Sequence, residues 1–420
     1  MIKGIKGVKD LLPEETPRWR LIEETARRWA AGYGFQEIRI PIFEVTTLFA
    51  RSIGASTDIV EKQMYTFQDR DGTSLTLRPE GTAGTVRAYI EHNRVADPLP
   101  QKYFYLGPMF RHERPQAGRL RQFHQFGAES FGTADPRADI EVIALLWRVL
   151  FDLALPGLTL EINNLGYTGD REAYRPQLVD YLRQHEGALC ENCRRRIDTN
   201  PLRVLDCKVP DCRAATDAAP RLADSLSEMA RTYFAGVLAG LERIGIPYHL
   251  NHRLVRGLDY YCLTTFEVTT GNLGAQNAVG AGGRYDGLVE TLGGPPTPAV
   301  GFAVGLERMV SMLPDTALVK APRSTTVYVA AFGLAGSLTG FAALETLRLA
   351  EIQAVSDFRP ATLKAHLRQA DRLGCRFALI VGDDEVEKGV AILRNMETKV
   401  QFDVSVASLQ ADVAAILRNS

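Results

Sequence analysis

The sequence predicts an α+β protein: a mainly antiparallel sheet flanked by helices over residues 1–322, with a helical insertion at about 165–250, and then a small α/β domain over 323–420. Three observations carry this expectation. Strand-like runs in the first part are joined by hairpin-length loops or long insertions rather than by regular crossover helices. Between about 165 and 250 the chain becomes rich in charge and helix formers and holds four of its six cysteines. From Thr325 onward strand-like and helix-like segments alternate, the pattern of a mostly parallel sheet. The Pro and Gly content around 313–324 is modest, with Pro314 and Pro322, but places the linker there.

Each element has a local reason. Thr16 before Pro17 starts a helix whose Trp19, Ile22, Ala26 and Trp29 recur at helical spacing and which stops near Gly32 and Gly34. In EIRIPIFE (37–44) Ile38, Ile40 and Ile42 alternate like a strand, and Pro41 confines that strand to an edge or a break, where another subunit can pack. Further strands are expected at 74–77, 102–113, 121–130 and 258–270. The last domain reads as TTVYVAAF, a helix in GFAALETLRLAEI, a short AVSDF, a helix in ATLKAHLRQADRLG, the strand RFALIVG, and one final strand and helix.

Bulk properties exclude several classes. With 45% hydrophobic and 24% charged residues the chain is neither disordered nor fibrous, and 420 residues exceed what one core usually spans. The 49 basic and 50 acidic side chains nearly cancel, so any nucleic-acid surface must be local. The start, MIKGIKGVKD, has no apolar core resembling a signal peptide, and no stretch has the length and apolarity of a membrane span. A cytoplasmic enzyme is expected. Six cysteines are too sparse for a disulfide scaffold, and a reducing compartment keeps them as thiols or metal ligands.

Strand parity picks out the side chains that meet. Arg111 and Glu113 share one face of the strand ending near 113, and Arg121, Phe123, Gln125 and Glu129 share one face of its partner. Taken alone, such a face is ordinarily a solvated polar surface. Company comes from three segments. In TLRPEGTAG (76–84) a strand meets a helix start at Glu80, where backbone N–H groups with Glu80 and Thr82 suit the two ends of an amino acid. In LVRGLDYY (254–261) and the residues after it, Asp259, Tyr261, Thr265 and Glu267 are expected on a pocket face, with Leu258, Tyr260, Cys262, Phe266 and Val268 on a core face. In GFAVGLER (301–308) a short strand runs into a helix with Arg308 in its first turn. The glycine run at 274–287 lacks a Walker lysine and serine and fits no dinucleotide spacing, so backbone approaching a ligand, or plain loop flexibility, explains it better.

EIRIPIFE, FRHE with RQFHQFGAE, and GFAVGLER resemble, in the correct order, motifs 1, 2 and 3 of the class II aminoacyl-tRNA synthetases. TLRPEGTAG, LVRGLDYY and GGRYDGL look specifically like the histidyl branch, and the resemblance runs from GIKGVKDLLP to the last domain, which resembles an anticodon-binding domain. It implies ATP-dependent joining of L-histidine to tRNA(His) through histidyl-adenylate, with Mg²⁺ on the ATP phosphates and a homodimer built around Pro41. It assigns ATP to Arg111, Glu113, Phe123 and Arg308: Phe123 stacks on adenine, Arg308 covers its other face while reaching the γ-phosphate, Glu113 meets the adenine edge, and Arg111 holds the α-phosphate. Histidine falls to Glu80, Thr82 and Gln125 at the ammonium and to Glu129, Tyr261 and Tyr285 at the ring; Arg256, with Arg111, is the catalytic cation at the α-phosphate.

Cys190, Cys193, Cys207 and Cys212 have a spacing that resembles a zinc ribbon, although the second pair is looser than usual. Histidyl synthetases as a class do not depend on zinc there, so unligated thiols are the expectation against a bound zinc. The rival outside the enzymes is a synthetase-like regulatory subunit of ATP phosphoribosyltransferase, a paralogue that usually lacks the last domain and erodes the ATP motifs. Arg111, Arg256 and Arg308 are all present here. Prolyl or threonyl synthetases conflict with RGLDYY and with a polar ring pocket.

Overall fold

The structure, a computed structural model, describes residues 2–54, 57, 59–98, 100–115, 119–255, 260–271, 277–317, 326–358 and 361–418. The chain divides into two compact units, Met1–Ala317 and Leu318–Ser420. The boundary expected at 322/323 falls among residues 318–325, which lie outside the described ones.

In the first unit α1 (Thr16–Gly32) begins with Pro17 in its first turn, where a missing N–H costs nothing, and buries Trp19, Ile22, Ala26 and Ala30. The strand expected over 37–44 is broken into β1 (Gln36–Glu37) and β2 (Phe43–Val45). Between them the carbonyls of Ile40 and Pro41 accept hydrogen bonds from the buried Arg78 guanidinium, which also donates to Pro108, so a side chain does the work of a missing ladder. The helix α2 (Thr46–Ile53) follows, then β3 (Tyr65–Gln68) and β4 (Ser74–Leu77), which form a small antiparallel sheet with β2, and then α3 (Thr82–Glu91).

The long hairpin β5 (Gln101–Phe110) and β6 (Gln122–Phe131) pairs in register from Phe110 opposite Gln122 to Gln101 opposite Phe131. After it come α4 (Pro136–Asp152) and β7 (Leu158–Asn164). The expected insertion is helical: α5 (Thr168–Gln184), α6 (Glu191–Thr199), α7 (Leu202–Leu205), α8 (Pro210–Ala215) and α9 (Glu228–Arg243). The unit closes with β8 (His249–Leu250), β9 (Cys262–Thr270), β10 (Ala278–Arg284), α10 (Leu288–Thr291), β11 (Ala299–Gly305) and α11 (Leu306–Met312).

Eight of these strands form one sheet in the order β1-β5-β6-β11-β10-β9-β7-β8, antiparallel except at the two outer pairings. Period-two geometry gives it two unlike faces. Phe104, Phe126, Phe266, Phe302 and Val304 pack with Ile22 of α1, Leu146 and Leu150 of α4, and Val237 and Leu241 of α9, each such side chain contributing roughly 1.5–3 kcal/mol by leaving water. Thus α9, at the end of the insertion, belongs partly to the central core. The opposite face of β6 carries Phe123, Gln125 and Glu129 and is left for the pocket.

Two expectations fail locally. The strand expected from 258 begins at Cys262, and at its start the pairing slips: Gly283 lies opposite Thr265 but Arg284 opposite Cys262, with Leu263 at φ 46°. Alternation counted through that irregularity no longer predicts the face of the residues before it. In the second unit, β12 (Val327–Ala331), α12 (Leu334–Leu349), β13 (Ala354–Ser356), α13 (Leu363–Arg372) and β14 (Phe377–Val381) appear as expected. The short α14 (Asp383–Glu387) then leads into two strands rather than one, β15 (Val390–Asn395) and β16 (Gln401–Ser405), before α15 (Leu409–Arg418). The Asn395 side chain accepts from the Glu397 and Thr398 N–H groups and turns the chain back into a hairpin. The sheet order is β13-β12-β14-β15-β16, parallel in the first two pairings and antiparallel in the last two, so it is mixed rather than mostly parallel.

Candidate active site

One cavity on the open face of the large sheet is lined by Glu80, Thr82, Arg111, Glu113, Phe123, Gln125, Glu129, Tyr261, Tyr285 and Arg308. These are all the residues expected to hold histidine and ATP. Arg256 lies outside the described residues, as does Asp259.

At its closed end Glu129 is fully buried on β6. Its carboxylate accepts from Thr82 Oγ1 at 2.7 Å, from Tyr105 Oη at 3.3 Å and from Tyr285 Oη. Burial nevertheless raises its pKa to about 8, because three hydroxyls replace bulk water only in part, and neighbouring Glu80 adds repulsion. Burial likewise holds the hydroxyls of Tyr105, Tyr260 and Tyr285 well above the ordinary tyrosine value. The space for these groups is made by glycines. Across the ladder Gly301 of β11 faces Glu129, and Gly127 of β6 faces Tyr105. A Cβ at 301 would strike the Glu129 carboxylate, and one at 127 or 81 would strike the Tyr105 ring.

At the helix start, Glu80 does something the sequence reading did not anticipate. Its own carboxylate accepts from the backbone N–H groups of Thr82 and Ala83, at 2.6 and 2.9 Å, so these donors are taken. Glu80 is buried, which raises its pKa against those donors and against Arg111. Nearby, Gln125 Oε1 is a buried acceptor with no partner among the described residues.

The wider end is cationic. Arg111 donates to the Pro79 carbonyl at 2.8 Å and lies 5.1 Å from the Phe123 ring centroid, so Arg111 rather than Arg308 covers that ring here. Arg308 donates to the Ala278 carbonyl. Burial lowers the pKa of both guanidinium groups, for Arg308 with Arg119 close by. Glu307 accepts from the His124 backbone N–H at 2.9 Å, pinning the first turn of α11 to β6 beside Arg308. Arg119 pairs with Glu113 at 3.1 Å.

Several parity assignments do not carry over to the cavity: Thr265 and Glu267, expected on its face, are absent from its lining. Arg121, expected beside Phe123, is absent from the lining, and the backbone N–H of Arg121 instead donates to Gly7 O at 2.7 Å. Tyr260, expected on the core face, lines the cavity and packs 4.6 Å from Tyr261 and 5.5 Å from Tyr285. Parity also held an unused signal: Tyr105 has the odd numbering of Arg111 and so faces the same way. For Arg119 and Tyr260 the sequence holds no comparable signal, since both lie beyond regular strand.

Behind the cavity, Arg284 and Asp139 form an ion pair at 2.5 Å with both side chains wholly buried, linking β10 to α4 just before Tyr285. Apart from this site, the Sγ atoms of Cys190, Cys193, Cys207 and Cys212 lie within 4.8 Å of one another in the insertion. No helix among the described residues is long and apolar enough to cross a membrane.

Comparison with known proteins gives a consistent picture. Residues 7–309 match the family described as Histidyl-tRNA synthetase, and residues 342–416 the family described as Anticodon binding domain. The chain is 49% identical over 404 residues to a protein named Histidine--tRNA ligase from Geobacter sulfurreducens, covering 96% of this chain and 97% of that one. It is 50% identical to the protein of the same name from Trichlorobacter lovleyi, covering 99% and 98%. Among solved structures it is similar to apo histidyl-tRNA synthetase of S. aureus, with a TM-score of 0.83, 36% identity, and coverage of 98% and 100%.

Proposed function

The chain belongs to the histidyl-tRNA synthetase family of class II ligases, and from that premise we propose how its own residues charge tRNA(His) with histidine at the expense of ATP. The observation that carries the proposal is the single cavity in which the polar ring site around Glu129 opens directly onto Arg111, Phe123 and Arg308.

The imidazole enters between Glu129, Tyr261 and Tyr285, where an apolar ring of similar size leaves buried polar groups unpaired. Its ammonium meets Glu80, Thr82 and the unpartnered Gln125 Oε1. ATP enters as a complex with a divalent ion, expected to be Mg²⁺, on its β- and γ-phosphates. Adenine displaces Arg111 from the Phe123 ring and is sandwiched there under Arg308, which frees Arg111 for the α-phosphate. The histidine carboxylate, already ionised, attacks the α-phosphorus, and pyrophosphate leaves. The terminal ribose hydroxyl of the tRNA then takes the histidyl group, and AMP leaves. The first step needs no general base, only fixed cations around phosphorus, the role given to Arg111 and Arg256; in the second the ribose hydroxyl attacks the acyl carbon and gives up its proton as AMP departs.

The second unit is the proposed anticodon reader. Phe341 and Phe358 are 53% and 71% exposed, with ring centroids 6.1 Å apart, beside the carboxyl ends of β12 and β13. Exposed rings there are a platform for unstacked bases. A homodimer is supported by the exposed apolar Ile42, Phe43, Val45 and Phe67 around Pro41.

ATP–pyrophosphate exchange tested against all twenty amino acids decides the assignment. Exchange with histidine alone is expected. Absence of exchange with every amino acid would favour the regulatory paralogue, and exchange with proline or threonine another class II enzyme.

A further inference from the structure

The four cysteines of the insertion take no part in the chemistry above, yet they converge from three short elements. Cys190 precedes α6, Cys193 lies in its first turn, Cys207 lies between α7 and α8, and Cys212 is in α8. Their sulfurs are all within 4.8 Å of one another, with Cys190 and Cys207 at 4.0 Å. The backbone N–H of Cys190 donates to Cys212 Sγ at 3.0 Å, a contact that stabilises a thiolate. Zn–S bonds of about 2.3 Å in a tetrahedron place the sulfurs roughly 3.8 Å apart, close to this spacing, whereas a disulfide needs about 2.05 Å. All four are free cysteines, and no histidine or carboxylate belongs to the set.

We propose that Cys190, Cys193, Cys207 and Cys212 bind one zinc ion, as a closed tetrathiolate site with a structural role. Four soft protein ligands leave no open position for water or substrate, so the ion cross-links and does not catalyse. The need for a cross-link is visible in the elements: α6, α7 and α8 have 9, 4 and 6 residues, too few to persist without tertiary support. Spacing alone left the looser second pair in doubt; the turn into α8 brings Cys212 back to Cys190 and removes that objection.

The site also reaches toward the pocket. Thr216 Oγ1 donates to the Cys212 carbonyl at 2.8 Å, and Arg253 donates to Thr216 Oγ1 at 2.6 Å and to its carbonyl at 3.1 Å. Arg253 stands three residues before Arg256. An ordered α8 therefore anchors one end of the segment that carries the catalytic cation.

The full-length protein, purified under reducing conditions without chelator, tests this by elemental analysis and by cobalt substitution. About one zinc per chain is expected, and the metal-free protein should take up about one Co²⁺ with the visible and charge-transfer bands of a tetrahedral tetrathiolate. Cys207→Ser should lose that spectrum while Cys375→Ser keeps it. The proposal is overturned if the native protein holds less than about a tenth of a zinc per chain, gives no such cobalt spectrum, and shows the four thiols reacting with Ellman's reagent without metal release.

Discussion

Glu129 is a buried carboxyl whose pKa of about 8 leaves it largely protonated at neutral pH while the pocket is empty. In the proposed mode the anion accepts the imidazole N–H more strongly than the protonated carboxyl does, so protonation of Glu129 weakens histidine binding. The sign follows: binding is strongest above pH 8 and weakens as pH falls, until the ligand ring itself protonates near about 6.5. The histidine KM should rise by up to about tenfold per unit between those limits. Glu129→Gln should raise KM for histidine far more than for ATP and flatten this pH profile; an unchanged KM would place the ring elsewhere. Arg256→Ala is expected to slow adenylate formation about 10²–10³-fold in single-turnover measurements with smaller changes in substrate affinity. At this scale much was legible: parity put Phe123, Gln125 and Glu129 on one face, and all three line the cavity. It failed at Tyr260 and Arg121, where the strands have already ended or slipped and period two no longer applies.

Among elements, the joint between α4 and β10 rests on a buried ion pair. Arg284 and Asp139 are fully enclosed, and Tyr233 Oη donates to the same carboxylate at 2.6 Å. Removing Asp139 leaves the buried Arg284 with only Asp286, at 3.0 Å, as its counter-charge, so Asp139→Ala should cost up to about 3–5 kcal/mol, read as a lower denaturation midpoint of the first unit. A loss below about 1 kcal/mol would mean that water or another group takes over the pairing. Such a pair is illegible in sequence, because Asp139 and Arg284 are separated by the whole insertion and, although Arg284 stands in GGRYDGL, no pattern in the sequence names its partner. Strands with clean alternation, such as β4 at 74–77, were legible to the residue; the broken 37–44 was not, because Arg78, a tertiary neighbour, completes its hydrogen bonding.

For the whole molecule, the proposed roles fall to different units. Truncation after residue 322 should leave histidine-dependent pyrophosphate exchange largely intact in a soluble protein while tRNA charging collapses, since every described residue of the cavity precedes Ala317. Phe358→Ala should weaken tRNA charging through KM for tRNA by about 1–3 kcal/mol without touching exchange. Equal loss of exchange in either protein would contradict this division. The fold class and the two-unit layout were legible because long periodic segments dominate both parts. The mixed character of the second sheet was not, because it turns on one side chain, Asn395, closing a hairpin.

The glycines opposite Glu129 and Tyr105 carry a consequence for altering what the enzyme accepts. The proposed ring pocket is moulded as much by missing side chains as by present ones, because Gly301 faces Glu129 and Gly127 faces Tyr105 across the ladder. Position 301 can therefore gain a methyl only if position 129 gives up length, so any side chain at 301 requires a change at 129 as well. Glu129→Asp with Gly301 kept opens a small chamber at the ring's edge, the natural starting place for admitting ring-methylated histidine analogues. A library that varies 129 and 301 together explores that space further, whereas one that varies 301 alone meets the Glu129 carboxylate.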